Sequence, residues 1–463
     1  MSFLKSTAAA AVFMLALPSL SHAQSADAAL DILSRSIAFR TVNGSTIAPN
    51  ETPAYAAYLK ERLVAGGFDP AAIEIEELAG TATLTATWQG TDTALKPIVL
   101  LAHMDVVEAD PADWERAPFT AVIENGYIFG RGSVDNKADL SILVATLIKL
   151  KQSGWQPTRT LILALSGDEE TAMASTAHLA EKLKGAELVL NADAGGGELS
   201  PDNQPMIYGL QAAEKTYFDY TITATDPGGH SSRPTAGNPI YRLTAGLQRL
   251  NASPFPVRLD DITRAMLQSV ADRVPPQTRD AINALLADET DAEAITHLSA
   301  DPGFVGLIRT TCTATMIRGG HAPNALPQSA QATVNCRILP GYSMEEIRDQ
   351  LTAIVNDPSL TIAYQDTGTL AAPASPLRDD VLAAVTAAVQ SRYPDITITP
   401  AMSAGATDSM HFRARGVPSY GVGSIFIKSE DEFSHGLNER LPLDTIAPGV
   451  THWETLLQLI AAH

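Results

Sequence analysis

Val99-Leu-Leu-Ala-His103-Met-Asp105-Val-Val107 is the stretch from which the fold can be read. A run of β-branched and aliphatic residues makes a buried strand. His103 and Asp105 then arrive at the rim of a sheet, where open α/β folds keep their chemistry. Residues two apart on a strand point to the same side, so Asp105 can reach one imidazole nitrogen of His103 and leave the other for a metal. The same tripeptide suits a core histidine that ends a strand equally well, and the choice rests on the rest of the chain.

Upstream, residues 26–39 and 52–66 have helical spacing of apolar residues, and 73–78 and 82–88 read as strands. Downstream, Gly130 and Gly132 permit a tight turn that sets Asp135 at the head of a helix over 137–150; taken alone, Asp135 suits a helix cap. A strand over 160–165 runs into Asp168-Glu169-Glu170, a helix follows over 172–184, and a strand over 187–190 runs into Asn191-Ala-Asp193. Strands alternating with helices, each strand ending in acids, predict an α/β fold with a mainly parallel sheet, flanking helices and its site at the carboxyl ends.

From about residue 213 the pattern changes. A strand over 217–224 alternates, and Asp226-Pro-Gly-Gly229-His230-Ser-Ser-Arg233-Pro234 and a helix over 239–250 follow. Strands over 307–317 and 331–339 and a helix over 344–355 complete an inserted α+β unit, elaborated by the charged helical stretch 251–306. A turn near Asn324 would set Cys312 opposite Cys336 for a cross-strand disulfide, whereas a slip of one residue would separate them. The α/β pattern then resumes with a helix over 376–393, strands over 396–400 and 418–423, Ser434-His435-Gly436 and a closing helix.

The chain has 463 residues, 45% hydrophobic and 18% charged, which fits a globular protein of two or three domains. Lys5, the apolar run over 8–20 and Ser21-His22-Ala23 have the layout of a secretory signal cut after Ala23, which predicts a secreted or periplasmic protein. No later stretch is long and apolar enough to span a membrane. The formal charge of −20 argues against nucleic acid or an anionic membrane as partner. Two cysteines cannot build a thiolate zinc cluster.

The rim of the sheet thus gathers His103, Asp135, Glu169, Glu170, Asp193 and His435. Crowded carboxylates repel one another, and a pair of divalent cations removes that conflict. Carboxylates and imidazoles without thiolate suit two zinc ions, or cobalt or manganese in their place, in a hydrolytic site.

Leu101-Ala-His103-Met-Asp105-Val-Val107, Gly130-Arg-Gly132-Ser-Val-Asp135-Asn-Lys137, Asp168-Glu169-Glu170 and Gly229-His230-Ser-Ser-Arg233-Pro234 together resemble the motifs of metallopeptidase family twenty. That family of co-catalytic zinc hydrolases includes aminoacylase, succinyl-diaminopimelate desuccinylase and carboxypeptidase S. The run from Arg309 through Asn324-Ala-Leu-Pro327 to Asn335-Cys-Arg337 is most similar to the carboxypeptidase S branch, which also contains secreted N-acyl amino acid hydrolases.

The resemblance implies that His103 and Asp193 hold one metal, Glu170 and His435 the other, and that Asp135 bridges them. It also implies a cis peptide bond after Asp135, Glu169 as general base and Asp105 as the residue orienting His103. His230 would be a lid histidine that stabilises the oxyanion, and a simple polar turn residue is its alternative. Asn324, Arg337, Gly405 and Thr407 match positions that bind the substrate carboxylate in relatives, and Arg337 also suits a structural ion pair. Asp408 matches a family position of unassigned role. Many members form homodimers through the lid, which leaves open whether His230 acts across subunits here.

The expected organisation is a leader over 1–23, a catalytic domain over 24–212 and 367–463, and a lid or dimerisation domain over 213–366. The expected activity is hydrolysis of an amide bond to an amino acid with a free carboxylate, in a peptide or an N-acyl amino acid. Alternatives are a dipeptidase, aminopeptidase or deacylase using the same site, or a metal-dependent periplasmic binding protein without catalysis.

Overall fold

The computed structural model describes residues 22–78, 80–364 and 368–462. The leader over 1–23 therefore falls almost wholly outside the described residues, as do the chain positions around the expected boundary at 366 and 367. Among the described residues no helix is long and apolar enough to cross a membrane.

Ile98–His103 is buried along its whole length, as its unbroken apolar sequence requires. It lies in parallel between Leu161–Ser166 and Leu188–Asn191, and Ser419–Gly421 extends the parallel set beyond Leu188–Asn191. The complete ten-stranded sheet is mixed. Ile73–Leu78 and Thr81–Trp88 run antiparallel at one edge, while Pro205–Glu214 is antiparallel to Ser419–Gly421 and parallel to Ile398–Ser403. One face is covered by His22–Ala38, Lys137–Gln152 and Ile446–Ile460, which pack side by side. The other is covered by Ala174–Lys182 and Ser409–Arg413, with Leu179 and Phe412 against Val99, Leu101 and Val189.

A separate four-stranded antiparallel sheet runs in the order Thr311–Gly319, Ser329–Ile338, Thr216–Thr225, Leu360–Tyr364. Thr216–Thr225 alternates buried and outward residues, the period-two signature of a sheet with one covered face. Helices Pro239–Ala252 and Met344–Val355 supply that cover through Leu243, Leu250, Ile347 and Leu351. Cys312 and Cys336 are direct partners in the ladder and are joined by a disulfide.

Several expectations need correction. The strand expected over 307–317 is in fact the end of helix Pro302–Ile308 followed by strand Thr311–Gly319. Asp301 caps that helix through the Gly303 N–H, which draws Leu307 and Ile308 into it. Strands Gly196–Leu199, Pro205–Glu214 and Leu360–Tyr364 have no counterpart among the expected elements. Gly196–Leu199 is half glycine, and Pro205–Glu214 lacks clean alternation. The stretch 251–306 does more than elaborate the smaller sheet: Asp261–Val270 lies against Ile398–Ser403, with Ile262 in the core of the larger sheet. The Met402 N–H even donates to Met266 Sδ at 3.1 Å.

Candidate active site

His103 ends its strand fully buried, and its ring is held from both sides. Nδ1 lies 3.0 Å from the carbonyl oxygen of Asp105 and 3.5 Å from its carboxylate. The Asp105 carboxylate instead accepts the N–H groups of Glu169 and Glu170, each at 3.0 Å. Asp105 thus faces His103 through its carbonyl and, at the longer distance, through its carboxylate. The chain leaves strand geometry after His103, so the carbonyl turns onto the ring and the carboxylate is freed to anchor the next loop.

His103 Nε2 sits 2.9 Å from Asp135 Oδ1 and 3.1 Å from Asp193 Oδ1. His435 Nε2 sits 3.2 Å from Asp135 Oδ2 and 2.9 Å from Glu170 Oε2. Asp135 thus turns one oxygen to each imidazole. His103, Asp135 and Glu170 can bring ligand atoms within 4.8 Å of one another, a spacing that suits a metal ion. The donor set of imidazoles and carboxylates also fits a divalent cation.

Each ligand loop has a local cause. Gly130 and Gly132 have φ of 153° and 83°, values that side-chain-bearing residues resist, and the Asp135–Asn136 peptide bond is cis. His435 itself has φ 63°, in the tight loop that also holds Asn438 at 55°. A non-glycine residue there is uncommon and marks a backbone fixed by its surroundings.

Electrostatics follow from crowding. Burial pushes the Glu169 carboxyl well above the usual carboxylate range, and the charge of Asp193 adds to it. Burial likewise raises Asp193 to about 6 and Asp408 to about 7. His435 is raised to about 10 by its hydrogen bonds with Asp135 and Glu170. For His103, burial opposes the charged form, but the charge of Asp193 and the surrounding hydrogen bonds outweigh it and raise the pKa. In both imidazoles the surrounding carboxylates favour positive charge, which a divalent cation can supply when it displaces protons.

The other expected residues fall into two groups. His230 is exposed, and its Nδ1 accepts from the Ser232 N–H at 3.1 Å. It pairs with Ala325 in a two-stranded ribbon, and the Asn324 carbonyl accepts the Ser231 N–H, so His230 and Asn324 are neighbours. Arg337, on strand Ser329–Ile338, donates to the Ala404 carbonyl at 2.7 Å, with its guanidinium 4.6 Å from the Tyr217 ring centre. It is thereby brought to the loop holding Gly405. Thr407 is buried, and both its N–H and its hydroxyl donate to Glu214 at 2.9 Å, so its side chain anchors the loop from below.

Two further acids hold the site together, Glu439 outside every motif and Asp408 at its family position. Glu439 is fully buried and accepts from Arg131 Nη1 at 2.8 Å and from the N–H groups of Gly132, Val134 and Asp135 at 2.9, 2.7 and 3.0 Å. Asp408 accepts from Ser166 Oγ at 2.5 Å and from Thr176 Oγ1, bracing the strand that leads to Glu169. Glu439 lies four residues past His435, the one cue in the sequence to its part in the site.

Known proteins resemble this chain over most of its length. The human N-fatty-acyl-amino acid synthase/hydrolase PM20D1 is 30% identical over 388 residues, covering 80% of this chain and 76% of its own. Probable carboxypeptidase S-like 2 of Dictyostelium discoideum is 28% identical over 373 residues, covering 78% and 71%. The M20 family metallo-carboxypeptidase Sso-CP2 of Sulfolobus solfataricus shares the fold at a TM-score of 0.69 and 20% identity, over 94% of this chain and 99% of that one. The model of peptidase family M20/M25/M40 matches residues 99–459, from the strand that delivers His103 into the closing helix, and the chain belongs to that family of metal-dependent hydrolases.

Proposed function

We propose that this chain is a dinuclear zinc hydrolase that cleaves the amide bond between an acyl group and an amino acid with a free carboxylate. Its substrates are then N-acyl amino acids or peptides trimmed from the C-terminus. The observation that carries the reading is Asp135, whose two oxygens face two different imidazoles while the buried acid Glu169 stands beside them. In this reading His103 and Asp193 hold one metal, Glu170 and His435 the other, and Asp135 bridges. The bound cations supply Lewis acidity to the scissile carbonyl and lower the pKa of water.

Glu169 takes a proton from the attacking water and passes it to the leaving amine, a task for which a raised pKa is suited. Asp105 fixes Glu169 through the backbone N–H, so the base is held by the segment that directly follows the strand presenting His103. Arg337 binds the substrate carboxylate, with Asn324 and the loop of Gly405 and Thr407 beside it, and His230 stabilises the oxyanion. The names of the human and Dictyostelium relatives support both substrate classes.

The two sheets, each with its own core, support a catalytic domain over 24–212 and 367–463 and a lid over 213–366. The disulfide supports export behind a leader cut after Ala23, since such bonds persist in oxidising compartments. The open edge of Thr311–Gly319, with Ile317 62% exposed, supports a homodimer through the lid.

Elemental analysis and turnover test the core of the proposal. About two zinc ions per chain are expected, with Glu169→Gln keeping the metal and losing turnover. A fully active Glu169→Gln would overturn the mechanism. N-terminal sequencing of the exported protein and sedimentation test the leader and the dimer.

A further inference from the structure

A cavity of about 440 Å³ opens directly beside Asp135 and Asp193. Its apolar wall is Val134, Ile207, Ile425 and Ile427, all half-buried, so they present side chains to the space without filling it. Between them the lining is bare backbone, since Gly196 and Gly197 lie on the strand paired with Phe426–Lys428 on one side and Pro205–Glu214 on the other. A Cβ on Gly197 would stand 2.0 Å from the Phe426 ring, and a Cβ on Gly196 would stand 3.0 Å from the Ile425 carbonyl. The glycines let these strands close up, and Gly195, Gly196, Gly197, Gly209 and Gly423 contribute only backbone to the lining.

At the mouth stand Glu198 and Glu432, which also line an adjoining lobe of about 310 Å³. Both are exposed, with Glu198 accepting from Ser429 Oγ at 3.1 Å and Glu432 from the Ser434 N–H at 2.9 Å. Neither has a cation as ion-pair partner among the described residues. Anything leaving the cluster through this cavity meets an apolar wall first and two uncompensated negative charges second. Arg337, by contrast, reaches the loop anchored at Glu214, the other end of the strand that begins beside Ile207.

We propose that this cavity is the acyl site, that it takes an uncharged apolar acyl group, and that Glu198 and Glu432 reject acyl groups ending in an anion. The inference rests on the amide-hydrolase reading above and adds to it the class of acyl group. The geometry divides the substrate's charges: the carboxylate goes to Arg337, and no second anion is tolerated at the other end.

The test uses the metal-loaded full chain and one amino acid acylated in turn with hexanoyl, glutaryl and 6-aminohexanoyl groups. Hexanoyl is expected to exceed both others in kcat/KM. In Glu198→Gln/Glu432→Gln the hexanoyl-to-glutaryl ratio is expected to fall by about tenfold, the order set by two solvent-screened charges. Ile207→Trp, which fills the apolar wall, should raise the KM of the hexanoyl compound more than that of an acetyl one. Equal use of hexanoyl and glutaryl compounds, a preference for the aminohexanoyl compound, or an unchanged ratio in the double variant overturns the assignment. If none of the acylated amino acids is hydrolysed, the amide-hydrolase reading itself fails, which is a different result from hydrolysis without discrimination.

Discussion

Glu439→Gln removes one charge from a place with no water to replace it. The carboxylate is fully buried and accepts four hydrogen bonds, one from Arg131 and three from the backbone of the loop that ends in Asp135. A glutamine of the same shape keeps one oxygen but turns an NH2 group toward N–H donors, and it leaves the buried Arg131 without a counter-charge. Breaking a buried pair from one side costs about 3–5 kcal/mol, a large share of the roughly 5–15 kcal/mol that holds a typical protein folded.

Arg131→Met should cost less, about 2 kcal/mol, because the carboxylate would keep its three backbone donors. The asymmetry is the test, read as the shift in thermal midpoint of the metal-free proteins. Because Glu439 holds the Asp135 N–H, zinc affinity measured by competition with a chromogenic chelator should fall by about 10–100-fold in Glu439→Gln. Zinc affinity within twofold of the parent, or an Arg131→Met variant damaged as much as Glu439→Gln, would refute the idea that this carboxylate cradles the loop.

Other outcomes follow from the same geometry. Arg337→Met should raise KM for an N-acyl amino acid by about 10–100-fold, the worth of a charge-assisted pair, with the matching carboxamide unaffected; equal effects on both would remove Arg337 from carboxylate binding. Burial lowers the His452 pKa to about 4, with its Nε2 3.0 Å from the Val422 carbonyl. The folded value lies below the unfolded 6.5, so its contribution is complete above pH 6.5 and is lost as pH falls toward 4, by up to about 3 kcal/mol. His452→Gln should flatten the fall of the thermal midpoint over that window, and an unchanged slope would show that other groups cause it. Chelation should lower the thermal midpoint and abolish turnover, both restored by zinc; a midpoint indifferent to metal would contradict a cluster that binds it in the folded state.

The rim of the larger sheet was legible because its signals are local. An unbroken apolar run ending in His103, and strands ending at Glu169, Glu170 and Asp193, follow from strand periodicity and chain order. The helix Met344–Val355 was legible to the residue, since Ser343 and Glu346 form a capping box and apolar residues recur at helical spacing. Gly196–Leu199 and Pro205–Glu214, which line the cavity, carried no such pattern, because their neighbours, not their own side chains, define their packing.

What the sequence by itself determined is the set of chemical groups and the strand ends that present them. What only the tertiary structure decided is which of these groups meet. Asp135 and His435 are three hundred residues apart, and their approach depends on two loops held by Glu439, a residue that no motif singles out. The division of Asp105 between its carbonyl on His103 and its carboxylate on the Glu169–Glu170 loop was likewise hidden. Periodicity is a property of neighbours along the chain, whereas a buried carboxylate takes its partners from whatever the folded chain brings within hydrogen-bonding distance.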